Sequence, residues 1–422
     1  MRVHTVEWDG ADPAGLARSL RSRVAEPEGI REAVGAIVSR VASEGDSAVI
    51  ELGERFDGSR PASLRVAKEE VEAASSTLDS AFVEALRIAA RNVRTVAEAQ
   101  LAAGPVEVGL PEGHVVTIRE VPVGSAGVYA PGGGAALAST VLMCAIPAHV
   151  AGVERIVVAS PPGPEGHVSA AVLAACAEAG VREVYAIGGA QAIAALALGT
   201  EKVAPVDVVV GPGNPYTQEA KRQLFGRVGV DGIAGPSELM VIADRGARLD
   251  WVALDLCAQA EHGADSPLIL ASEDTGVLEE VAASVERAAA ERPSVTDAPL
   301  TLVRVPGHEA ALALAEAFAP EHLQLAGERA EALAGLVTTA GCVFVGPHSG
   351  TAFGDYASGS NHVLPTGGAG RFQGPLGPAA FRRRIANVSL PGPAAAALAP
   401  SVDALARAEG LPVHGESAKA RE

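Results

Sequence analysis

An α/β fold with parallel sheet is predicted by three features of this 422-residue chain. Short β-branched runs alternate with Ala-rich helical stretches. Runs of this kind are closed by Gly or Pro. Hydrophobic residues make 48% of the composition while only 3% is aromatic, and the excess of Ala and Val suits helices packed tightly on a β-rich centre.

Taken in order, residues 14 to 100 read as helical. Phe82, Leu86, Ala90, Val93 and Ala97 recur at helical spacing behind a cap from Asp79 or Ser80, as expected of a helical layer facing solvent. From about 117 to 245 the strand candidates are Arg155-Ile-Val-Val-Ala-Ser, Glu183-Val-Tyr-Ala-Ile and Val206-Asp-Val-Val-Val. From about 246 to 350 they are Pro267-Leu-Ile-Leu-Ala, Leu300-Thr-Leu-Val-Arg-Val and Gly341-Cys-Val-Phe-Val. Strands alternating with helices imply parallel sheet joined by crossovers, and a chain this long is expected to form two or more domains. Beyond His362 come the Gly-rich Pro365-Thr-Gly-Gly-Ala-Gly, the cluster Arg382-Arg383-Arg384 and an Ala-rich helix ending near Gly410, a tail too small to fold alone.

The net charge of −18 argues against binding nucleic acid or an anionic membrane surface, both of which need a basic patch. Small-molecule partners fit better. Neither an apolar signal core at the N-terminus nor a window of about 18 uninterrupted apolar residues is present, so a cytoplasmic location is the default expectation. Cys144, Cys176, Cys257 and Cys342 lack CxxC spacing and sit among apolar or small residues, as expected of buried reduced thiols.

Three sets of residues carry chemistry. Gln259-Ala-Glu-His262 puts two donors three residues apart, on one face of a helix. A carboxylate from Asp355 and an imidazole from His414 would complete an oxygen and nitrogen set acceptable to zinc; alone, a single helical histidine is more often a core or surface residue, and glutamine is an unusual zinc ligand. Glu321-His322 follows the helix-breaking Ala319-Pro320 and suits acid-base work in a cleft, the plain alternative being a helix-end histidine beside a solvated acid. Tyr129-Ala-Pro-Gly132-Gly133-Gly134, Gly188-Gly189-Ala190-Gln191 and Gly211-Pro-Gly213-Asn214 follow apparent strands, where open α/β sheets place ligands. Tyr129, Gln191 and Asn214 could meet a cofactor there, or these could be ordinary strand-to-helix turns, since none is a GxGxxG fingerprint.

Together with Ser139-Thr-Val-Leu-Met143, Ala145-Ile-Pro-Ala148, Ala234-Gly-Pro-Ser237-Glu and Gly354-Asp355-Tyr-Ala-Ser-Gly-Ser-Asn-His362, these blocks resemble the histidinol dehydrogenase family along nearly the whole chain. The resemblance implies two incomplete Rossmann-like domains, one inserted in the other, plus small N- and C-terminal segments that embrace a partner subunit. On this sequence it implies an N-terminal helical segment over 1–21, a zinc and catalytic domain over 22–128 and 239–375, an NAD-binding domain over 129–238, and a tail over 376–422 that contributes to the partner's active site. Its zinc ligands, one ion per subunit, fall on Gln259, His262, Asp355 and His414, the last in a homodimer partner's site. Acid-base residues fall on Glu321 and His322, and NAD contacts on Tyr129, Gln191 and Asn214. Substrate contacts fall on Ser237, His322, Glu409 and His362 alongside the metal ligands.

The implied reaction is zinc-dependent oxidation of L-histidinol to L-histidine through histidinal with two NAD, the last steps of histidine biosynthesis. A related zinc and NAD dehydrogenase of another chelating primary alcohol, such as a sulfopropanediol, would lack the imidazole-holding carboxylate that Glu409 supplies. A zinc hydrolase would use Glu321 on water and need no NAD contacts. After Arg371-Phe372 the chain departs from the family's usual Ser-Gly-Leu and reads Gln373-Gly374-Pro375-Leu376.

Overall fold

The structure is a computed structural model and describes residues 1–22, 29–101, 104–132 and 136–422; Gly133 and Gly134 of the first Gly-rich turn lie outside them. Its strands in chain order are β1 (Arg2–Glu7), β2 (Val106–Gly109), β3 (Val115–Pro122), β4 (Ser125–Tyr129), β5 (Arg155–Ser160), β6 (Glu183–Ala186) and β7 (Val208–Val210). They continue with β8 (Gly229–Val230), β9 (Leu239–Ala243), β10 (Leu268–Ser272), β11 (Pro299–Arg304), β12 (His322–Ala326), β13 (Cys342–Val345) and β14 (Arg382–Ser389).

All six runs singled out in the sequence form strands, within two parallel sheets. One has the order β6-β5-β4-β7-β8, the other β1-β11-β10-β9-β12-β13. Both are doubly wound: the first strand of each unit, β4 or β9, lies beside the fourth, β7 or β12, where the crossovers part to opposite faces. The central strand β9, Leu-Met-Val-Ile-Ala, is buried throughout, as parallel sheet covered on both faces requires. A third, antiparallel sheet, β14-β3-β2, ties residues 106–122 to the tail.

One feature differs from expectation: the N-terminal segment is not wholly helical, since Arg2–Glu7 pairs in parallel with β11 before the helix Pro13–Arg21 begins. Its Arg-Val-His-Thr-Val-Glu pattern suits an exposed edge strand, and it covers the open edge of β11. Residues 30–99 pack on both faces of the five-stranded sheet, and Asn92 also donates to the Ala357 carbonyl oxygen at 2.7 Å. Val34, Ile37, Val41, Val49 and Leu52 share a core with Tyr129 and Val157, while Leu86, Ala90 and Val93 share one with Val128 and Val158 on the opposite face. Asp79 caps that last helix, Ser80–Ala99, by accepting from the Ala81 amide.

The tail leaves β14 as two helices, Gly392–Ala408 and Pro412–Lys419, packed chiefly on each other. Leu405 and Val413 are 64% and 68% exposed, so the hairpin carries apolar surface that one chain does not cover. Among the described residues no helix is long and apolar enough to cross a membrane.

Candidate active site

One cleft lies between the two parallel sheets. The turn Gly211–Gly213 at the carboxyl end of β7 lines one wall, and Ser237, Glu321 and His322, at the amino ends of β9 and β12, line the other, with His262, Asp355 and His362 completing it.

Glu321 and His322 are set by a forced break. The helix His308–Phe318 stops at Ala319, which adopts a left-handed φ of 46°, and Pro320 bars further helix. The chain then enters β12. Glu321 accepts from Ser237 Oγ at 2.5 Å and from the Glu238 amide at 2.8 Å. His322 Nδ1 lies 3.0 Å from the Glu238 carbonyl oxygen; a carbonyl only accepts, so Nδ1 carries hydrogen and Nε2 is the atom at which the ring gains or loses its second proton. That Nε2 is 3.5 Å from Asp355 Oδ1. Burial works against charge on the imidazole, but Glu321 and Asp355 outweigh it and hold the ring's pKa well above its ordinary value.

Asp355, on the helix Thr351–Tyr356, also lies 3.8 Å from His262 Nε2. Its burial would favour the neutral acid, yet the two imidazoles hold its carboxyl far below the usual range, and Asp355 in turn raises His262. Gln259, in the last turn of the helix Leu249–Ala260, is 1% exposed. Its Nε2 donates to Ser237 Oγ at 2.6 Å, which leaves Oε1 buried without a partner. An unpaired buried oxygen is costly, and a cation beside it would relieve that cost. Amide oxygen, imidazole and carboxylate are donor types that zinc accepts, so Gln259, His262 and Asp355 could hold it with a further ligand from elsewhere. Among the described residues no three His, Cys, Asp or Glu side chains form a ready ligand cluster.

The remaining predicted donors lie elsewhere. His414 is exposed on the last helix and Glu409 is exposed at the end of the preceding one; neither lines the cleft of its own chain. His362 does line it, with Nδ1 2.7 Å from the Asp355 carbonyl oxygen and Nε2 3.2 Å from Thr140 Oγ1. By the same donor logic His362 steadies the main chain of Asp355.

On the five-stranded sheet the three Gly-rich turns lie at strand carboxyl ends, as expected. Tyr129 closes β4 and its hydroxyl accepts from the Gly189 amide at 3.1 Å, burial pushing its pKa up to about 12. Gln191 is buried and donates to Asp57 at 3.4 Å. Asn214 is exposed and caps the helix Pro215–Leu224 through Thr217. Tyr129 and Asn214 flank the point between β4 and β7 where doubly wound sheets bind ligands.

A model of the histidinol dehydrogenase family matches residues 20–422. Histidinol dehydrogenase from Bacillus licheniformis is 43% identical over 428 residues, covering 100% of this chain and 99% of that one. The enzyme from Synechococcus is 43% identical over 401 residues, covering 93% and 92%. The chain belongs to the histidinol dehydrogenase family. The crystal structure of histidinol dehydrogenase from Elizabethkingia anophelis has the same fold, with a TM-score of 0.91, 33% identity and coverage of 100% and 98%.

Other residues of this family member, missed in the sequence, support the site from behind. Glu238 accepts from Arg21 at 2.7 Å and from the amides of Glu321 and Gly367, so it fixes the carboxylate and imidazole through their backbone. The signal was its place beside Ser237, but its partner Arg21 is 217 residues away. The cysteines are free as expected, although Cys342 is only partly buried and pairs in register with His322. Burial raises its pKa, which keeps it a thiol and a poor nucleophile.

Proposed function

We propose that this chain oxidises L-histidinol to L-histidine through histidinal, reducing two NAD, at a site that holds one zinc ion per subunit. The observation that carries the reading is the Gln259 amide oxygen, buried without a partner one helical turn before His262, which lines the same cleft as Asp355 and the acid-base pair Glu321 and His322, facing the crevice of a doubly wound sheet. On this reading the two parallel sheets are the cores of two incomplete Rossmann-like domains. The five-stranded one receives NAD at Tyr129, Gln191 and Asn214.

Gln259, His262 and Asp355 would hold the zinc, together with His414 of a second copy. Bound there, the ion supplies a fixed point for the substrate's imidazole and amine, which orients the carbinol. His322 Nε2 takes the hydroxyl proton as hydride leaves the carbinol carbon for NAD, giving the aldehyde. As water adds to the aldehyde carbon, Glu321 takes a proton from the water and His322 Nε2 returns its proton to the aldehyde oxygen, which gives the gem-diol and frees Nε2. His322 Nε2 takes a second hydroxyl proton from the resulting gem-diol while hydride goes to a second NAD, giving the carboxylic acid. Ser237 holds Gln259 and Glu321 in place throughout.

A homodimer with exchanged tails is supported by the apolar surface of the tail hairpin and by the distance of His414 and Glu409 from their own cleft. Glu409 would then hold the substrate imidazole's second nitrogen. Four free cysteines suit a reducing cytoplasm.

The test is NADH formation, followed by absorbance, from zinc-loaded protein with L-histidinol. A ratio near two NADH per histidine, lost on chelation, is expected. No NADH from folded, metal-loaded protein would overturn the assignment and turn the search to other chelating alcohols.

A further inference from the structure

The inner face of the helix Pro215–Leu224 is polar where its surroundings are apolar. Thr217, Gln218 and Lys221, spaced to share one face, are all buried. Lys221 Nζ donates to the Gly211 carbonyl oxygen at 2.9 Å and sits 2.5 Å from Asp231 Oδ1, and the other oxygen of Asp231 accepts from the Gly211 amide at 2.8 Å. Both main-chain polar groups of Gly211 therefore end on a single buried ion pair, with Lys221 2% exposed.

Such a pair is a poor way to hold a core together, because apolar residues of the same volume often do as well or better. What it holds is the more informative feature. Gly211 has a φ of +117°, and a Cβ there would meet the Tyr129 carbonyl oxygen at 2.3 Å. The residue must therefore lie against the end of β4, at the switch point that opens the turn to Asn214. Lys221 and Asp231 both line the cleft. Asp231 is held from the opposite wall, where Gln373 donates to its carbonyl oxygen, and Gln218 accepts from the Ala234 amide at 2.9 Å. Gln373, the point of departure in its loop, thus fastens residues 366–376 to this pair.

We infer that Lys221 and Asp231 are positioning residues for the dinucleotide, holding the Gly211–Asn214 turn in the form that receives it. The inference rests on the proposal that NAD binds at this switch point. Neither residue takes part in proton or hydride transfer.

The test uses the full-length, metal-loaded protein. Lys221→Met leaves the Asp231 carboxylate buried and unpaired and can unfold the chain, so the double variant Lys221→Met/Asp231→Leu, which removes both charges, is measured beside it, with Lys221→Arg as the charge-preserving control. NAD dissociation constants by calorimetry and KM values for NAD and histidinol are read with zinc content. Expected for the double variant is a rise of about tenfold in NAD KM and dissociation constant, with histidinol KM and zinc content within about twofold of wild type. Lys221→Arg should recover part of the loss. A folded double variant that binds NAD as wild type does, or one whose losses fall equally on histidinol and zinc, overturns the inference. Wild-type protein that binds no NAD would overturn the cofactor assignment instead.

Discussion

The two parallel sheets share one winding order and put opposite ends to use. The five-stranded sheet turns the carboxyl ends of its strands to the cleft, and at its switch point Gly211 leaves room against Tyr129. The six-stranded sheet turns its amino ends there, offering Ser237, Glu321 and His322 from the starts of β9 and β12 with Glu238 behind them. Its own carboxyl-end crevice, between β9 and β12, is filled. The Asp244 carboxylate accepts from the amides of Gly246, Arg329 and Ala330, and Gly327, at φ +100°, leaves space for it. A doubly wound order therefore marks where a ligand could bind, and side chains decide whether one does.

The largest effect should come from the acid-base end. His322→Asn is expected to lower kcat about 10³-fold while NAD KM and zinc content stay unchanged, as checked by steady-state kinetics and metal analysis. An equal loss of NAD affinity would erase the division of labour between the sheets.

Next comes pH. Burial pushes the Glu238 carboxyl up from 4.5 to about 7, with Arg21 opposing and Glu321 adding to the rise. Because the folded value lies above the unfolded one, the retained proton stabilises the fold at low pH and that contribution is lost as pH rises through 7. The stability of wild type relative to Glu238→Gln should therefore fall by on the order of 2 to 3 kcal/mol between pH 5 and pH 8 in urea unfolding. A difference independent of pH would contradict the assignment.

Asp244→Ala sharpens the contrast with Lys221. Leaving buried amides without an acceptor is expected to cost about 2 kcal/mol of stability with no change in NAD KM; a weakened NAD affinity would mean that the filled crevice is coupled to the open one. Smallest of all, Ala319→Gly should add about 1 kcal/mol of stability, since the left-handed conformation at that break strains any residue with a Cβ. Chemical denaturation would detect it, and a loss of stability would show that the turn is not strained.

Much of this was legible along the chain. The six β-branched runs and the helical layer carry their own periodicity, and the site residues stand in short blocks with recognisable chemistry. β12 was not legible as a strand because it opens on His322 and carries Gln324, two polar residues kept in a buried strand for what they touch. Which sheet the helices of residues 30–99 cover was not legible, because it depends on contacts that local pattern does not contain. Arg21, Glu238, Lys221 and Asp231 escaped notice for a related reason, since a buried ion is explained by its partner, and the partners are distant in sequence. Glu409 and His414 do not line the cleft of their own chain, and nothing in the local pattern of the tail tells what they meet.

The central claim is that the cleft of one chain is finished by the tail of another. It is tested by co-expressing His322→Asn and His414→Ala chains with different tags and isolating the hybrid dimer. If the tails exchange, one of the two sites contains an intact His322 and a partner's intact His414, and the hybrid should show about half of wild-type activity, although each homodimer is nearly inactive. A hybrid as inactive as its parents would contradict the account.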